Sequence, residues 1–124
     1  MITIFSIPKG FEGPTGVMQR NSVKSWTLLQ PKCEVILLGD DPGTGDVAKE
    51  FGAKYIPDIE RNELGTPLMS SGFQLAEKHG SHDLLCYVNA DIILTSDFIA
   101  AVQRVKEKTN WFLMTARRWN LDLV

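Results

Sequence analysis

Apolar positions in this chain fall into short unbroken runs, separated by longer stretches with helical periodicity. Three runs suit strands that are buried on both faces of a parallel sheet: Thr3 to Ile7, Glu34 to Leu38, and Leu84 to Val88. A weaker strand is predicted from Ala53 to Ile56, and a last one from Trp111 to Ala116. Polar loops follow the three strong runs, so each strand is predicted to end at a loop of polar residues.

The stretches between the strands predict helices, because their apolar residues recur at three- and four-residue spacing. The four helices are expected over about 15–29, 46–51 and 66–79, and from a cap at Thr95 or Ser96 onward. The inward-facing residues are predicted to be Met18, Ser22, Trp26 and Leu29 in the first helix, Met69, Phe73 and Ala76 in the third, and Phe98, Val102 and Val105 in the fourth. Alternating strands and helices predict the α/β class, with right-handed crossovers.

Composition narrows the class without naming a function. The chain has 124 residues, which suits one domain, and its net charge of -2 gives no electrostatic signature of nucleic-acid or acidic-membrane binding. The opening stretch Ile2 to Ile7 is too short for a signal peptide core or a membrane span, so a soluble cytoplasmic protein is expected. Cys33 and Cys86 lie in apolar runs and are expected to be buried thiols rather than a disulfide.

The most informative segment is the end of the third strong run, which reads Tyr87-Val88-Asn89-Ala90-Asp91. An apolar strand stops at two oxygen-bearing side chains one residue apart, at the sheet edge where α/β proteins bind ligands. Asn89 and Asp91 could therefore hold a metal-phosphate group, or they could simply form a turn. The spacing alone leaves both interpretations open.

Three other segments are predicted to lie at the same edge. Lys9 could meet a phosphate, although its loop is neither a Gly-x-Gly-x-x-Gly motif nor a P-loop and could be a plain turn. Asp40 could accept hydrogen bonds from a ribose or a base, or form an Asx-turn before Pro42. The helix start at Thr66, with Thr66 as cap and Pro67 at the first position, could face an anion or be an ordinary capped helix.

These segments together resemble the GT-A glycosyltransferases, the nucleotide-diphospho-sugar transferases, and especially their family 2-like members. The resemblance rests on the opening strand through Lys9, on VILLGDD ending at Asp41, and on the stretch from LGTPLMSSGF at 64–73 to YVNADIILTSDFI at 87–99. It covers nearly the whole chain as a single domain, 1–124. It implies a three-layer αβα, doubly wound, mostly parallel, Rossmann-like sheet, with the acceptor-binding part of the usual domain expected to be missing.

The resemblance also assigns the site. Asn89-Ala90-Asp91 looks like the family's Asp-x-Asp signature, so Asp91 is the expected ligand of Mn²⁺ or Mg²⁺ and Asn89 a nucleotide contact. The residues assigned to nucleotide-sugar binding are Ile7, Pro8, Lys9, Asp40, Asp41, Thr66, Ser70, Asn89, Ala90 and Asp91. Family members often carry an arginine at the helix start before the signature, where this chain has Leu68-Met69-Ser70.

The activity that the resemblance implies is metal-dependent transfer of a sugar from a nucleoside-diphosphate sugar, a UDP-sugar by preference, to an unknown acceptor. No residue is identified as a catalytic base. Three alternatives stay open: a non-catalytic nucleotide-sugar-binding module, a nucleotidyltransferase, and an interaction domain that forms a homo-oligomer through Trp111, Phe112 and Trp119. Residues 117–120, Arg-Arg-Trp-Asn, are expected either to line the donor pocket or to form a solvated tail.

Overall fold

The structure is a computed structural model that describes residues 2–116, in which strands and helices alternate as the sequence predicts. The strands are β1 (Ile2–Ser6), β2 (Glu34–Leu38), β3 (Lys54–Ile56) and β4 (Leu84–Tyr87). The helices are α1 (Gly13–Thr27), α2 (Thr44–Phe51), α3 (Met69–His79) and α4 (Ser96–Lys108). The fold class is therefore α/β, as predicted.

The strands form a four-stranded sheet in the order β3-β2-β1-β4, and every pairing is parallel. Strand β1 lies in the interior of the sheet, where Thr3 is opposite Glu34 on one side and Leu85 on the other. All four strands therefore end at one edge of the sheet, which we call the carboxyl edge. The chain steps outward from β1 to β3 and then returns to the far side of β1, so the point where strand order reverses lies between β1 and β4.

Helices cover both faces of the sheet. Alternate side chains of β1 point to opposite faces: Ile2 and Ile4 join one apolar cluster, and Phe5 joins the other. The first cluster includes buried residues of α1, α2 and α4, whereas the second is completed by Ala76 of α3. A three-layer arrangement results, and its largest fully buried side chain is Trp26 of α1, whose indole N–H donates to the carbonyl of Ile92 at 2.9 Å.

Three helix predictions were wrong in detail. Met69 and Phe73 of the third helix were expected to face inward, but each is 42% exposed. Met18 was expected to face inward but is 51% exposed, because α1 buries Gln19 in its place. The third helix begins at Met69 rather than Thr66, so Thr66 is not its cap and Pro67 is not its first residue. Pro67 instead forms an isolated antiparallel bridge with Arg61.

The predicted last strand, Trp111 to Ala116, is also wrong: these residues have no strand structure. Trp111 and Leu113 are 91% and 92% exposed. The hydroxyl of Thr109 donates to the carbonyl of Trp111 and accepts its N–H, and local bonds of this kind compete with strand pairing. The predictions for Arg117, Arg118, Trp119 and Asn120 fall outside the described residues.

Two expectations from composition can be checked within residues 2–116. No helix in that range is both long enough and apolar enough to cross a membrane. Cys33 and Cys86 are both free thiols; Cys33 is buried as predicted, whereas Cys86 is only half-buried. Burial, with the nearby Cys33 as a second cause, raises the pKa of Cys86 to about 11, so this thiol is protonated at neutral pH.

Candidate functional site

The loops that carry the predicted site residues all leave the carboxyl edge of the sheet. The loop after β1 contains Lys9, the loop after β2 contains Asp40 and Asp41, and the turn after β4 contains Asn89 and Asp91. In the strand order, the β1 loop lies between the other two. The parallel topology thus brings three of the predicted segments to one edge, and the Lys9 loop and the Asn89 turn flank the point where strand order reverses.

The β1 loop is held by a side chain that the sequence did not indicate. Gln19 of α1 is 3% exposed, and its carboxamide accepts the backbone N–H of Lys9 and donates to the carbonyl of Lys9, both at 2.8 Å. Phe11 donates its N–H to the carbonyl of Pro42 at 2.8 Å, which joins this loop to the β2 loop. The segment is therefore a fixed loop from which the exposed side chain of Lys9 projects. A glutamine on a helix usually faces solvent, so the pattern gave no signal for Gln19.

The segment after β4 does form a turn, but not through its polar side chains. The N–H of Ile92 donates to the carbonyl of Asn89 at 3.1 Å, and the buried Ala90 lies inside this turn. Asn89 and Asp91 are exposed, and their side chains have no hydrogen-bond partner within residues 2–116. The turn and the ligand interpretations are therefore compatible, since the backbone makes the turn and leaves both side chains available.

Asp91 lies close enough to Tyr87 to influence it electrostatically. Burial raises the pKa of the Tyr87 hydroxyl, and the negative charge of Asp91 raises it further. The ring of Tyr87 packs edge-on against Phe5, which packs edge-on against the 42% exposed Phe73 of α3. Asp91 therefore lies near Tyr87, one of three aromatic rings that contact each other in sequence from the surface through the core.

In the β2 loop, the carboxylates of Asp40 and Asp41 converge on one guanidinium. Arg61 Nη2 donates to Asp40 Oδ1 and to Asp41 Oδ1, each at 3.1 Å, and Nη1 donates to the carbonyl of Gly65 at 3.0 Å. The predicted alternative, an Asx-turn at Asp40, is not what the carboxylate forms. Sequence analysis missed Arg61, because nothing in the pattern relates a loop residue after β3 to the end of β2.

The segment before α3 is a compact hairpin rather than a helix start. Asn62 accepts the N–H groups of Leu64 and Thr66 on Oδ1, and its own N–H donates to the carbonyl of Thr66. Gly65 has φ of +82°, a left-handed conformation that favours glycine in this turn. Thr66 and Ser70 are exposed, and Thr66 contributes its backbone to the hairpin. The Asn62 to Gly65 spacing was the signal that could have predicted this turn.

The start of α3 reaches the β1 strand end. An added Cβ at Gly72 would lie 3.5 Å from Cδ1 of Ile7 and 3.6 Å from Phe5, so glycine allows the helix to approach the sheet closely. Ile7 is half-buried in this contact, and Pro8 is buried. Ile7 and Pro8 therefore form the apolar floor beneath the loops of the carboxyl edge, whereas Lys9 places a positive charge above it.

The donor set for a metal is small. Within residues 2–116 no three His, Cys, Asp or Glu side chains lie together as a metal cluster. Asp91 and the amide oxygen of Asn89 are hard oxygen donors, a set that suits Mg²⁺ or Mn²⁺ when substrate phosphates and water complete the coordination. The residues present thus fit a metal that arrives with a phosphate ligand better than a metal that the protein holds alone.

Two depressions lie away from these residues. One of about 340 Å³ is formed by Leu28, Leu29 and Leu94 with neighbouring polar groups. The other, of about 500 Å³, lies between Asp58 to Glu60 and α3, where Gln74 and Lys78 line it. Neither is lined by Lys9, Asn89 or Asp91, so the candidate site is a rim of loops rather than either of these depressions.

Comparisons with protein-family models, curated proteins and solved structures found no match to this chain.

Proposed function

We propose that this protein is a GT-A glycosyltransferase domain that binds a nucleoside-diphosphate sugar, a UDP-sugar by preference, with Mn²⁺ or Mg²⁺ at Asp91, and transfers the sugar to an acceptor. The observation that carries the proposal is the gathering of Lys9, Asp40, Asp41, Asn89 and Asp91 at the carboxyl edge of an all-parallel sheet. Open α/β sheets bind ligands at that edge, at the point where strand order reverses.

The proposed roles follow from the chemistry of each side chain. Asp91 would hold the metal, which when bound supplies positive charge to the diphosphate leaving group, and the amide of Asn89 would hydrogen-bond a ribose hydroxyl of the nucleotide. Lys9, whose backbone is held by Gln19, would offer its ammonium to a phosphate oxygen. Asp40 and Asp41 would accept hydrogen bonds from the nucleoside. Ile7 and Pro8 would exclude water beneath the donor, and Thr66 and Ser70 would border it from the α3 side.

Calorimetric titration of UDP with and without Mn²⁺ tests the binding half of this proposal. We expect Mn²⁺ to tighten UDP binding to the wild-type protein and to have no such effect on Asp91→Ala. Asp83→Ala is the matched control, because Asp83 is another exposed acid beside β4 but lies at the opposite edge of the sheet. Binding that does not respond to metal, or that responds equally in Asp91→Ala, would contradict the metal assignment.

Donor hydrolysis and transfer assays test the catalytic half. Release of UDP from a UDP-sugar above the protein-free rate, lost in Asp91→Ala, is the expected result. Metal-dependent UDP binding without any turnover would instead identify a non-catalytic nucleotide-sugar-binding module. Pyrophosphate release from a nucleoside triphosphate and a sugar phosphate would identify a nucleotidyltransferase.

A further inference from the structure

Arg61 joins two loops of the carboxyl edge. Its guanidinium binds the carboxylates of Asp40 and Asp41 from the β2 loop and the carbonyl of Gly65 from its own hairpin. It also lies against the backbone of Gly39, where an added Cβ would be 3.5 Å from Arg61 Nη2 and 3.8 Å from Ile7 Cγ2. Arg61 is thus packed at the end of β2, next to the floor residue of the proposed donor site. We call Arg61, Asp40 and Asp41 the Arg61 triad.

The hydrogen-bond inventory of the triad leaves acceptors unused. Nη2 of an arginine carries two hydrogens, and in Arg61 one points to each aspartate. Each carboxylate contributes only its Oδ1, so both Oδ2 atoms have no partner within residues 2–116. The triad therefore offers two carboxylate oxygens as acceptors, and the Nη2 hydrogens of Arg61 are occupied, while Nε and Nη1 each keep an N–H beyond these bonds.

The charge of the triad indicates which part of a nucleoside-diphosphate sugar it would recognise. Two carboxylates share one guanidinium, which leaves an excess of one negative charge at this end of the edge. An excess negative charge repels a diphosphate and attracts N–H and O–H donors. The donors of a nucleoside are its ribose hydroxyls and the N–H groups of its base, and these match the unused Oδ2 atoms.

A purely structural role explains the triad less well. Arg61 is 28% exposed, but Asp40 is 73% exposed, and ion pairs with such exposed acids contribute little to stability. The hairpin is also held without Arg61, by the bonds of Asn62 and by the N–H of Leu68, which donates to the carbonyl of Glu60. What the guanidinium adds is a defined orientation of Asp40 and Asp41, whose side chains are 73% and 36% exposed.

We propose that Arg61 is a positioning residue for nucleoside recognition, which holds the carboxylates of Asp40 and Asp41 so that they accept hydrogen bonds from the nucleoside. The inference rests on the proposed function and names the residue that organises one end of that site. Lysine would keep the charge but would lose the planar fork that addresses two carboxylates and a carbonyl together.

The test is calorimetry with uridine, UDP and inorganic diphosphate on wild-type protein, Arg61→Gln, Arg61→Lys and the control Arg20→Gln. Arg20 is the matched control because it forms an exposed ion pair with Glu50, between α1 and α2. Arg61→Gln should weaken the binding of uridine and of UDP by the same factor. The expected loss of affinity is about tenfold, which is the loss expected for misplaced hydrogen bonds. Binding of diphosphate should not change, Arg61→Lys should show a smaller loss, and Arg20→Gln should bind like the wild type.

A double-mutant cycle shows whether Arg61 acts through the acids. In an Asp40→Asn, Asp41→Asn background, Arg61→Gln should cost less than about twofold, because coupled residues are not additive. Circular dichroism and Tm, measured for every variant, identify any that misfold, and Arg61→Lys then takes the place of Arg61→Gln in the cycle.

The failures of the two proposals are distinguishable. Loss of UDP binding with unchanged uridine binding would mean that Arg61 contacts phosphate, which overturns the positioning role alone. Equal binding of uridine and UDP by the wild type and by Arg61→Gln would also overturn the positioning role alone. A wild-type protein that binds neither uridine nor UDP overturns the proposed function and this inference together.

Discussion

The two edges of the sheet treat their polar groups in opposite ways. At the amino edge, Glu34 of β2 accepts hydrogen bonds from the hydroxyl of Thr3, from the backbone N–H and hydroxyl of Ser81, and from the ammonium of Lys54. At the carboxyl edge, Asn89 and Asp91 have no side-chain partner within the described chain, and the triad acids keep one oxygen each unused. At the amino edge all the partners of Glu34 come from the protein itself, whereas at the carboxyl edge several side-chain oxygens have no protein partner within the described residues.

This difference separates an acid that stabilises the fold from one that does not. Burial alone would raise the pKa of Glu34, but the bonds from Lys54, Ser81 and Thr3 outweigh it and lower the pKa to about 2. These bonds tie β1, β2, β3 and the turn before β4 together. No comparable network holds Asp91, so its removal should cost the fold little. The contrast between Glu34 and Asp91 is therefore open to direct measurement.

The largest expected effect is the loss of the amino-edge acid. Glu34→Ala should lower the free energy of unfolding by about 2 kcal/mol, because several hydrogen bonds to a charged group are lost at once. Asp91→Ala should change it by less than about 0.5 kcal/mol, as is usual for an exposed position. Urea denaturation of both variants measures this. Equal destabilisation would show that the edges do not differ as described.

The next effect concerns the loop after β1, whose backbone at Lys9 is held by Gln19. Gln19→Leu leaves the N–H and carbonyl of Lys9 without their partners and should cost about 1.5 kcal/mol. It should also weaken UDP binding, because Lys9 is no longer fixed. Gln74→Leu, at an exposed glutamine of α3, is the control and should change neither quantity. Thermal unfolding and calorimetry on the same samples separate the two losses.

A third prediction concerns acid. The pKa of Glu34 is lowered from 4.5 to about 2, so its contribution to stability is complete above pH 4.5 and is lost as pH falls toward 2. Wild type should therefore be more stable than Glu34→Gln at neutral pH, and the difference should shrink through that window. Chemical denaturation at a series of pH values measures the difference. A gap that stays constant down to pH 2 would contradict the role of the network.

The smallest effect tests the surroundings of Asp91. Since the charge of Asp91 helps to raise the pKa of Tyr87, Asp91→Asn should lower that pKa, while burial keeps it above its ordinary value. Phenolate absorbance can follow this titration in a Tyr55→Phe background, which leaves Tyr87 as the tyrosine that reports. Asp83→Asn should leave the titration unchanged. An unaltered Tyr87 in Asp91→Asn would mean that the acid points away from the ring.

The sequence predicted the sheet well, because buried parallel strands are unbroken apolar runs. The runs near Thr3, Glu34 and Leu84 all became strands within a residue or so of the predicted ends. Trp111 to Ala116 is also largely apolar but is not a strand. Apolar side chains favour a strand only where a neighbouring strand pairs with it, and pairing partners are not visible in a local pattern.

The candidate site could be predicted only where it follows the strand ends. Asn89, Asp91 and Asp40 were identified as candidates because they come directly after apolar runs. Gln19 and Arg61 could not, since each acts on a segment that is distant in sequence. Long-range polar contacts leave no periodic signal. Residues that organise loops were therefore missed, although the loops themselves were recognised.

The interior position of β1 also has a consequence for how the chain folds. Ile2–Ser6 precedes Leu84–Tyr87 in the chain, so during synthesis it pairs with β4 only after Leu84–Tyr87 has been made. Until then, one side of a fully buried apolar strand has no partner, which is a state prone to aggregation in nascent chains. Closing such a distant parallel pair carries a large entropy cost and is intrinsically slow. Completion of the sheet, which brings the turn of Asn89 and Asp91 to the same edge as the loop after β1, is therefore expected to be a slow step of folding.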